Sequence, residues 1–267
     1  MKQISILGCG WLGLPLAKSL IEKGFSVKGS TTSLHKIFIL ENNGIGAFQI
    51  EIGEGQIKGE IDLFLKNSEI LVIDIPPKLR SVSSENFVKK IQNLIPFIEK
   101  STVEKVVFIS STSVYADDNS IVTETTKPLP DTESGSQLLE SESLLQSNEN
   151  FKTTVIRFGG LIGEDRHPIH FLSGRKNIEN PEAPINLIHQ IDCIGIIEEI
   201  LEQDCWNETF NAVAPFHPKR KEYYTKKAIE FKVALPEFKE EKSSIGKTIL
   251  SNKLQTVLQY KFQHPTL

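Results

Sequence analysis

Short apolar runs alternate with amphipathic stretches through the first two-thirds of the chain, and the period of each stretch assigns its type. Ile4 to Leu7 is a continuous apolar run that reads as a buried strand. In the stretch after it, Leu12, Leu16 and Leu20 recur every fourth residue, with Ala17 and Ile21 widening the stripe. That is the spacing of a helix with one buried face, and Gly24 supplies its stop. Pro15 lies near enough to the helix start to remove only an edge hydrogen bond.

The alternation continues. Strands are predicted near Phe25 to Gly29, Ala47 to Glu51, Ile70 to Ile75, Lys105 to Ile109 and Thr153 to Phe158, with Pro76-Pro77 ending the fourth abruptly. Helices are predicted over Leu34 to Asn42, Ser84 to Lys100 and Ser134 to Gln146. Strand, helix and strand in this order imply an α/β fold, a Rossmann-type doubly wound parallel sheet with right-handed crossovers.

Past Phe158 the pattern loosens into Gly159-Gly160, Gly163, His167-Pro168 and Asn180-Pro181, which reads as an irregular cap. A short strand at Asn186 to Ile188, a helix at Ile191 to Leu201 and a strand at Thr209 to Val213 follow. The expected division is a nucleotide-binding domain over 1–160 and a small C-terminal substrate lobe over 161–267 built from these late segments, with 186–205 packing back onto the first domain. Such a lobe would leave a cleft over the carboxyl ends of the strands, where open α/β folds take their ligands.

Composition narrows the classes. The net charge is -4 over 267 residues with both signs interspersed, so neither nucleic acid nor an anionic membrane is an expected partner, and a small-molecule substrate is. Three widely spaced cysteines, Cys9, Cys193 and Cys205, form neither a disulfide framework nor a zinc pattern, which suits a reducing cytoplasm. With no charged-then-apolar leader and no apolar run near the roughly 18 residues of a spanning helix, the chain reads as mature and soluble.

Candidate chemistry begins at Gly8-Cys9-Gly10-Trp11-Leu12-Gly13, a GxGxxG set between the first strand and first helix. Gly8 suits the tight turn, Gly10 the approach of a pyrophosphate, and Gly13 close packing of helix on strand, with the helix N–H groups facing the phosphates. A carboxylate about 20 residues further on would mark NAD. Here the second strand runs into Ser30-Thr31-Thr32-Ser33, followed by His35 and Lys36. Hydroxyls and a lysine suit a 2′-phosphate, so NADP is expected, with NAD the alternative and an N-cap the structural reading of the same residues.

Phe108-Ile109-Ser110-Ser111-Thr112-Ser113-Val114-Tyr115 resembles the motif after the fifth strand in the extended short-chain dehydrogenase/reductases, the NAD-dependent epimerase/dehydratase group. Pro130 with Ser134-Gly135 and Glu142, Arg157 to Gly163, Asn186 to Asp192, and Phe210 to Val213 follow in the family's order. The resemblance implies a cofactor lying across Gly8, Gly10, Trp11, Leu12 and Gly13 and the Ser30 to Ser33 segment, then past Ile75, Pro76 and Pro77 to Ser110 and Ser111. Ser111 matches the family's substrate-bonding serine.

The family's YxxxK pair is missing. Its pattern falls on Ser134 to Glu142, which puts Ser134 at the tyrosine and Leu138 at the lysine. Ser111, Tyr115 and Ser134 are therefore the catalytic candidates, with Tyr115 the nearest replacement acid and a partly buried aromatic its structural reading. Arg166 and His167 in the cap are the expected substrate-side residues. His167 and His170 lack a third ligand, and no metal is assigned. Asn186, His189 and Asp192 are expected to fix the joint between lobes. Loss of the pair leaves two functions open: a small-carbonyl or sugar-type oxidoreductase, and a catalytically silent NADP(H) sensor.

Overall fold

The structure is a computed structural model and describes residues 2–77, 79, 85–240 and 243–266. Its centre is a sheet of seven strands: β1 (Gln3–Leu7), β2 (Ser26–Thr31), β3 (Gly46–Gln49), β4 (Ile70–Ile73), β5 (Lys105–Ser111), β6 (Lys152–Phe158) and β7 (Thr209–Ala212). They lie in the order β3-β2-β1-β4-β5-β6-β7 and every pairing is parallel. This is the doubly wound α/β arrangement that the alternating pattern predicts. Ile70 to Ile73 and Val106 to Phe108 are buried throughout, as strands covered on both faces require.

One face is covered by α1 (Gly13–Glu22) and, far later in the chain, the helix Gln190–Glu202, whose Ile196, Ile197 and Ile200 join Leu16 and Leu20 in one apolar cluster. The other face carries α3 (Ile61–Leu65), α4 (Phe87–Lys100) and α5 (Glu133–Gln146). Asn86 caps α4 by accepting from the Lys89 N–H, and Thr132 caps α5 by accepting from Gly135. The predicted start of α4 at Ser84 lies outside the described residues.

Beyond β6 the chain moves between two layers. Gly160–Ile162 pairs with Leu187–His189, and Ile162, Ile169, Leu172, Leu187, Tyr223 and Tyr224 form a separate small core over the sheet's carboxyl ends. The intervening helix Gln190–Glu202, strand β7 and the tail residues Leu254, Leu258 and Tyr260 return to the main core. Asn186 clasps the tail, donating to the Lys247 carbonyl and accepting from the Ile249 N–H. Asp192, fully buried, accepts from Tyr260 Oη and from the Gln263 and His264 N–H groups. His189 caps its helix through Nδ1.

Two local features depart from the pattern. The predicted helix Leu34 to Asn42 splits into a 3-10 turn, Leu34–Lys36, and the short helix α2 (Ile37–Asn42). Between β3 and β4 the chain forms a small hairpin, Glu51–Ile52 with Ile57–Lys58, and α3. These pieces are too short to show a period.

Candidate active site and cofactor cleft

The chain leaves β1 and β4 side by side, Leu7 opposite Ile73, at the point where the strand order reverses. A cavity of about 720 Å³ opens there, lined at one end by the glycine loop and Ser30 to Ser33, past Ile75 to Pro77, and at the other by Ser110, Ser111, Ser113, Ser134, Leu138 and Phe158 to Leu161. A second cavity of about 360 Å³ continues it between β2 and Pro77, reaching Ile50 to Ile52, Glu85 and Lys90.

The glycine loop fits a dinucleotide. Gly8 has φ of 107°, and a Cβ there would lie 2.3 Å from the Asp74 carbonyl oxygen. A Cβ at Gly13 would lie 2.2 Å from the Gly8 oxygen. At Gly10 a Cβ would meet nothing within 4 Å, because that position faces the open cleft. Among the described residues the Trp11 and Leu12 N–H groups, at the start of α1, have no hydrogen-bond acceptor, which leaves them for a phosphate.

The hydroxyl segment divides. Ser30 Oγ accepts from the Gly8 N–H at 2.9 Å and Thr31 Oγ1 from the Ser33 N–H at 3.1 Å, so both oxygens shape the loops. Thr32 and Lys36 are exposed and Ser33 half-exposed along the cleft wall.

At the other end Ser111 caps the 3-10 turn Thr112–Val114, accepting from the Ser113 N–H. Ser134 stands in the first turn of α5, and the helix approaches that turn so closely that a Cβ at Gly135 would lie 2.1 Å from the Ser113 oxygen. Ser134 and Leu138, at the positions matched to the missing pair, both line the cleft. Ser110 lines it too, while its Oγ donates downward to Glu142 Oε1 at 2.5 Å.

Tyr115 requires a correction: it is 1% exposed and does not line the cleft. Its phenol accepts from Arg157 Nη1 at 2.6 Å and donates to Asn211 Oδ1 at 3.0 Å. Arg157 in turn forms a forked pair with Glu142, Nε to Oε1 at 3.1 Å and Nη2 to Oε2 at 2.6 Å. Burial pushes the phenol's pKa up, with Arg157 opposing. The ring belongs to a buried polar network under the cleft because the Tyr115 side chain turns toward β6 and β7.

His167 is the second correction. It is 6% exposed, inside the cap core. Its Nδ1 accepts from the Ile169 N–H, which leaves Nε2 to donate to Tyr223 Oη at 2.9 Å. Burial lowers its pKa to about 4, so the ring is a neutral structural group. Arg166, in contrast, lines the cleft, its guanidinium 4.9 Å from the Trp11 ring centroid.

Trp11 ties cap to loop more widely. Its Nε1 donates to Asp165 Oδ1 at 2.8 Å, its carbonyl accepts from Gln190 Nε2 at 2.6 Å, and a Cβ on Gly163 would lie 2.8 Å from its ring. Sequence reasoning passed over Asp74, the carboxylate just past β4 that also lines the cleft. A lone acid between an apolar strand and Pro76-Pro77 was the signal. Among the described residues the titratable side chains lining the cavity are Cys9, Lys36, Asp74 and Arg166, and none of these belongs to the Ser111–Ser134 end.

No protein-family model matches the chain. Protein YeeZ of Escherichia coli strain K12 is 32% identical over 267 residues, covering 99% of this chain and 97% of that protein. The structure of UDP-glucose 4-epimerase from Thermotoga maritima, solved with UDP-glucose, superposes with a TM-score of 0.82 at 17% identity, covering 98% of this chain and 94% of that one. UDP-glucuronic acid 4-epimerase from Bacillus cereus, solved in complex with NAD, gives 0.79 at 19% identity over 98% and 94% of the two chains. Among the described residues no helix is long and apolar enough to cross a membrane.

Proposed function

Since the chain belongs to the family of Escherichia coli YeeZ and carries the fold of the epimerase/dehydratase-like short-chain dehydrogenase/reductases, we propose that it is an NADP(H)-binding oxidoreductase of that kind, acting on a small carbonyl or sugar-type substrate. One observation carries this reading: strand, GxGxxG and helix stand at the mouth of a cleft that runs on to Ser111 and Ser134. The nicotinamide nucleotide and UDP-sugar bound by the structural neighbours support it.

In this reading the Trp11 and Leu12 N–H groups hold the pyrophosphate, and Gly10 leaves it room. Thr32, Ser33 and Lys36 hold the 2′-phosphate, which favours NADP over NAD. Nicotinamide cofactors supply hydride transfer. Ser111 donates a hydrogen bond to a substrate carbonyl oxygen, Ser134 orients it, and Leu138 with Phe158 keeps water from that end. Arg166 faces the anionic parts of ligand and cofactor. Among the described residues no group at that end serves as a general acid in the manner of a lysine-assisted tyrosine.

The same absence favours a second reading, a sensor that binds NADP(H) without turnover. A thermal-shift series with NADPH, NADH and no nucleotide, followed by a panel of carbonyl and nucleotide-sugar substrates, separates the two. Stabilisation by NADPH with turnover supports the oxidoreductase; stabilisation with no turnover supports the sensor. No stabilisation by either nucleotide removes both.

A further inference from the structure

The phosphate end of the cleft contains a carboxylate for which the proposed cofactor contacts have no use. Asp74 lines the cavity, and its Oδ2 would lie 3.1 Å from a Cβ at Gly13, so it packs against the start of α1. The backbone N–H of Gly13 acts on this carboxylate in favour of its charged form. It thus sits beside the open Trp11 and Leu12 N–H groups that suit a pyrophosphate. A helix N-terminus stabilises one anion readily, but a pyrophosphate would bring further negative charge against a fixed carboxylate.

Among the described residues few groups oppose that repulsion. Arg166 of the cap loop acts on Asp74 with opposite charge, and it is exposed and stacked on Trp11. Cys9 of the glycine loop and Cys193 of the helix Gln190–Glu202 are the other titratable groups that interact electrostatically with the carboxylate among the described residues. Both thiols stay neutral, because burial raises the first to about 12 and the second well above its ordinary value.

We propose that the dinucleotide site is proton-coupled through Asp74: the pyrophosphate binds the protein with this carboxyl protonated, and one proton enters with each dinucleotide. The proposal rests on the cofactor reading above. Protonation converts the acid from a repelling charge into a hydrogen-bond donor beside the phosphates and frees Arg166 to pair with them. Burial already pushes the carboxyl up to about 7, with the Gly13 N–H and Arg166 acting in the opposite direction. Below that pH the acid is mostly protonated before binding, and affinity is level. Above it each pH unit costs up to about tenfold in affinity, until the raised pKa of the complex is passed. The 2′-phosphate of NADPH, with its second pKa near 6, is ionised throughout that upper range.

The test is calorimetric titration with NADPH from pH 7 to 8.5, in two buffers of different ionisation enthalpy, on the wild-type protein and on Asp74→Asn. The expected result is an affinity that falls roughly tenfold per unit toward pH 8.5, with close to one proton taken up there. Asp74→Asn should bind with little pH dependence and about tenfold or more tighter than wild type at pH 8.5. Wild-type affinity that stays level over this range without proton uptake overturns the proposal while leaving the cofactor reading intact, and so does an Asn variant that keeps the wild-type pH profile. Should the variant fail to fold, the wild-type proton count alone decides. Absence of NADPH binding at every pH removes the cofactor reading and this proposal together.

Discussion

The two ends of the cleft are built on opposite plans. At the glycine loop the backbone does the fitting: Gly8 and Gly13 meet within distances that leave no room for a side chain, Gly10 opens onto the cavity, and Asp74 and Arg166 bring charge to the mouth. At the Ser111 end the lining is hydroxyl and apolar, while the strongly polar groups, Tyr115, Arg157 and Glu142, are joined to one another beneath it. On the proposed reading, the difference teaches that binding and chemistry are separable in this fold. In the reading proposed above, the chain keeps the glycine loop that holds a dinucleotide while Ser134 and Leu138 stand at the positions matched to the family's tyrosine and lysine.

The largest expected effect comes from the network under the chemical end. Glu142→Ala leaves Arg157, 6% exposed, without its carboxylate, and loss of one partner of a buried pair costs about 3–5 kcal/mol. Urea unfolding should register that loss; a change below about 1 kcal/mol would mean the pair is no anchor. At the phosphate end, Gly10→Val places a branched side chain into the open cleft and should weaken NADPH binding by about a hundredfold or more, near 2.7 kcal/mol, with the unfolding midpoint nearly unchanged. Unchanged affinity in calorimetry would break the assignment of that end.

Tyr115→Phe sharpens the comparison from below. It removes the partner of Arg157 Nη1 and Asn211 Oδ1 and should cost about 1–3 kcal/mol of stability. Any turnover should remain within about twofold, and a hundredfold loss would restore Tyr115 to the chemistry. The smallest effect concerns cofactor choice. NADPH should bind at least about tenfold more tightly than NADH, about 1.4 kcal/mol, and Lys36→Ala should narrow the gap. A preference for NADH would show that Thr32, Ser33 and Lys36 only wall the cleft.

What the sequence disclosed follows from how local each signal is. The glycine loop and the alternating strands are contiguous and were legible, as was the match that brings Ser134 and Leu138 to the cleft wall. Tyr115 was misread because its burial depends on Arg157 and Asn211, which arrive from β6 and β7 and cannot be inferred from its own surroundings. His167 looked like a cap residue facing ligand, yet its partner Tyr223 comes from a helix 56 residues later. Asp74 reaches the glycine loop only through the pairing of β1 with β4, Leu7 beside Ile73. Long-range register made these positions, and no window of sequence contains it.

Trp11 belongs at once to the floor of the cofactor cleft and to the underside of the cap, held by Asp165, Gln190, Arg166 and the bare backbone at Gly163. With a cofactor in the cleft, as proposed, and a ligand against the cap, this shared residue makes the two sites thermodynamically answerable to each other. A molecule that shifts the cap loop on Trp11 changes the affinity for whatever lies on the glycine loop by some factor, and the occupant of the glycine loop must change the affinity of that molecule by the same factor. Reciprocity of this kind holds whether or not a bond is ever made or broken in the cleft.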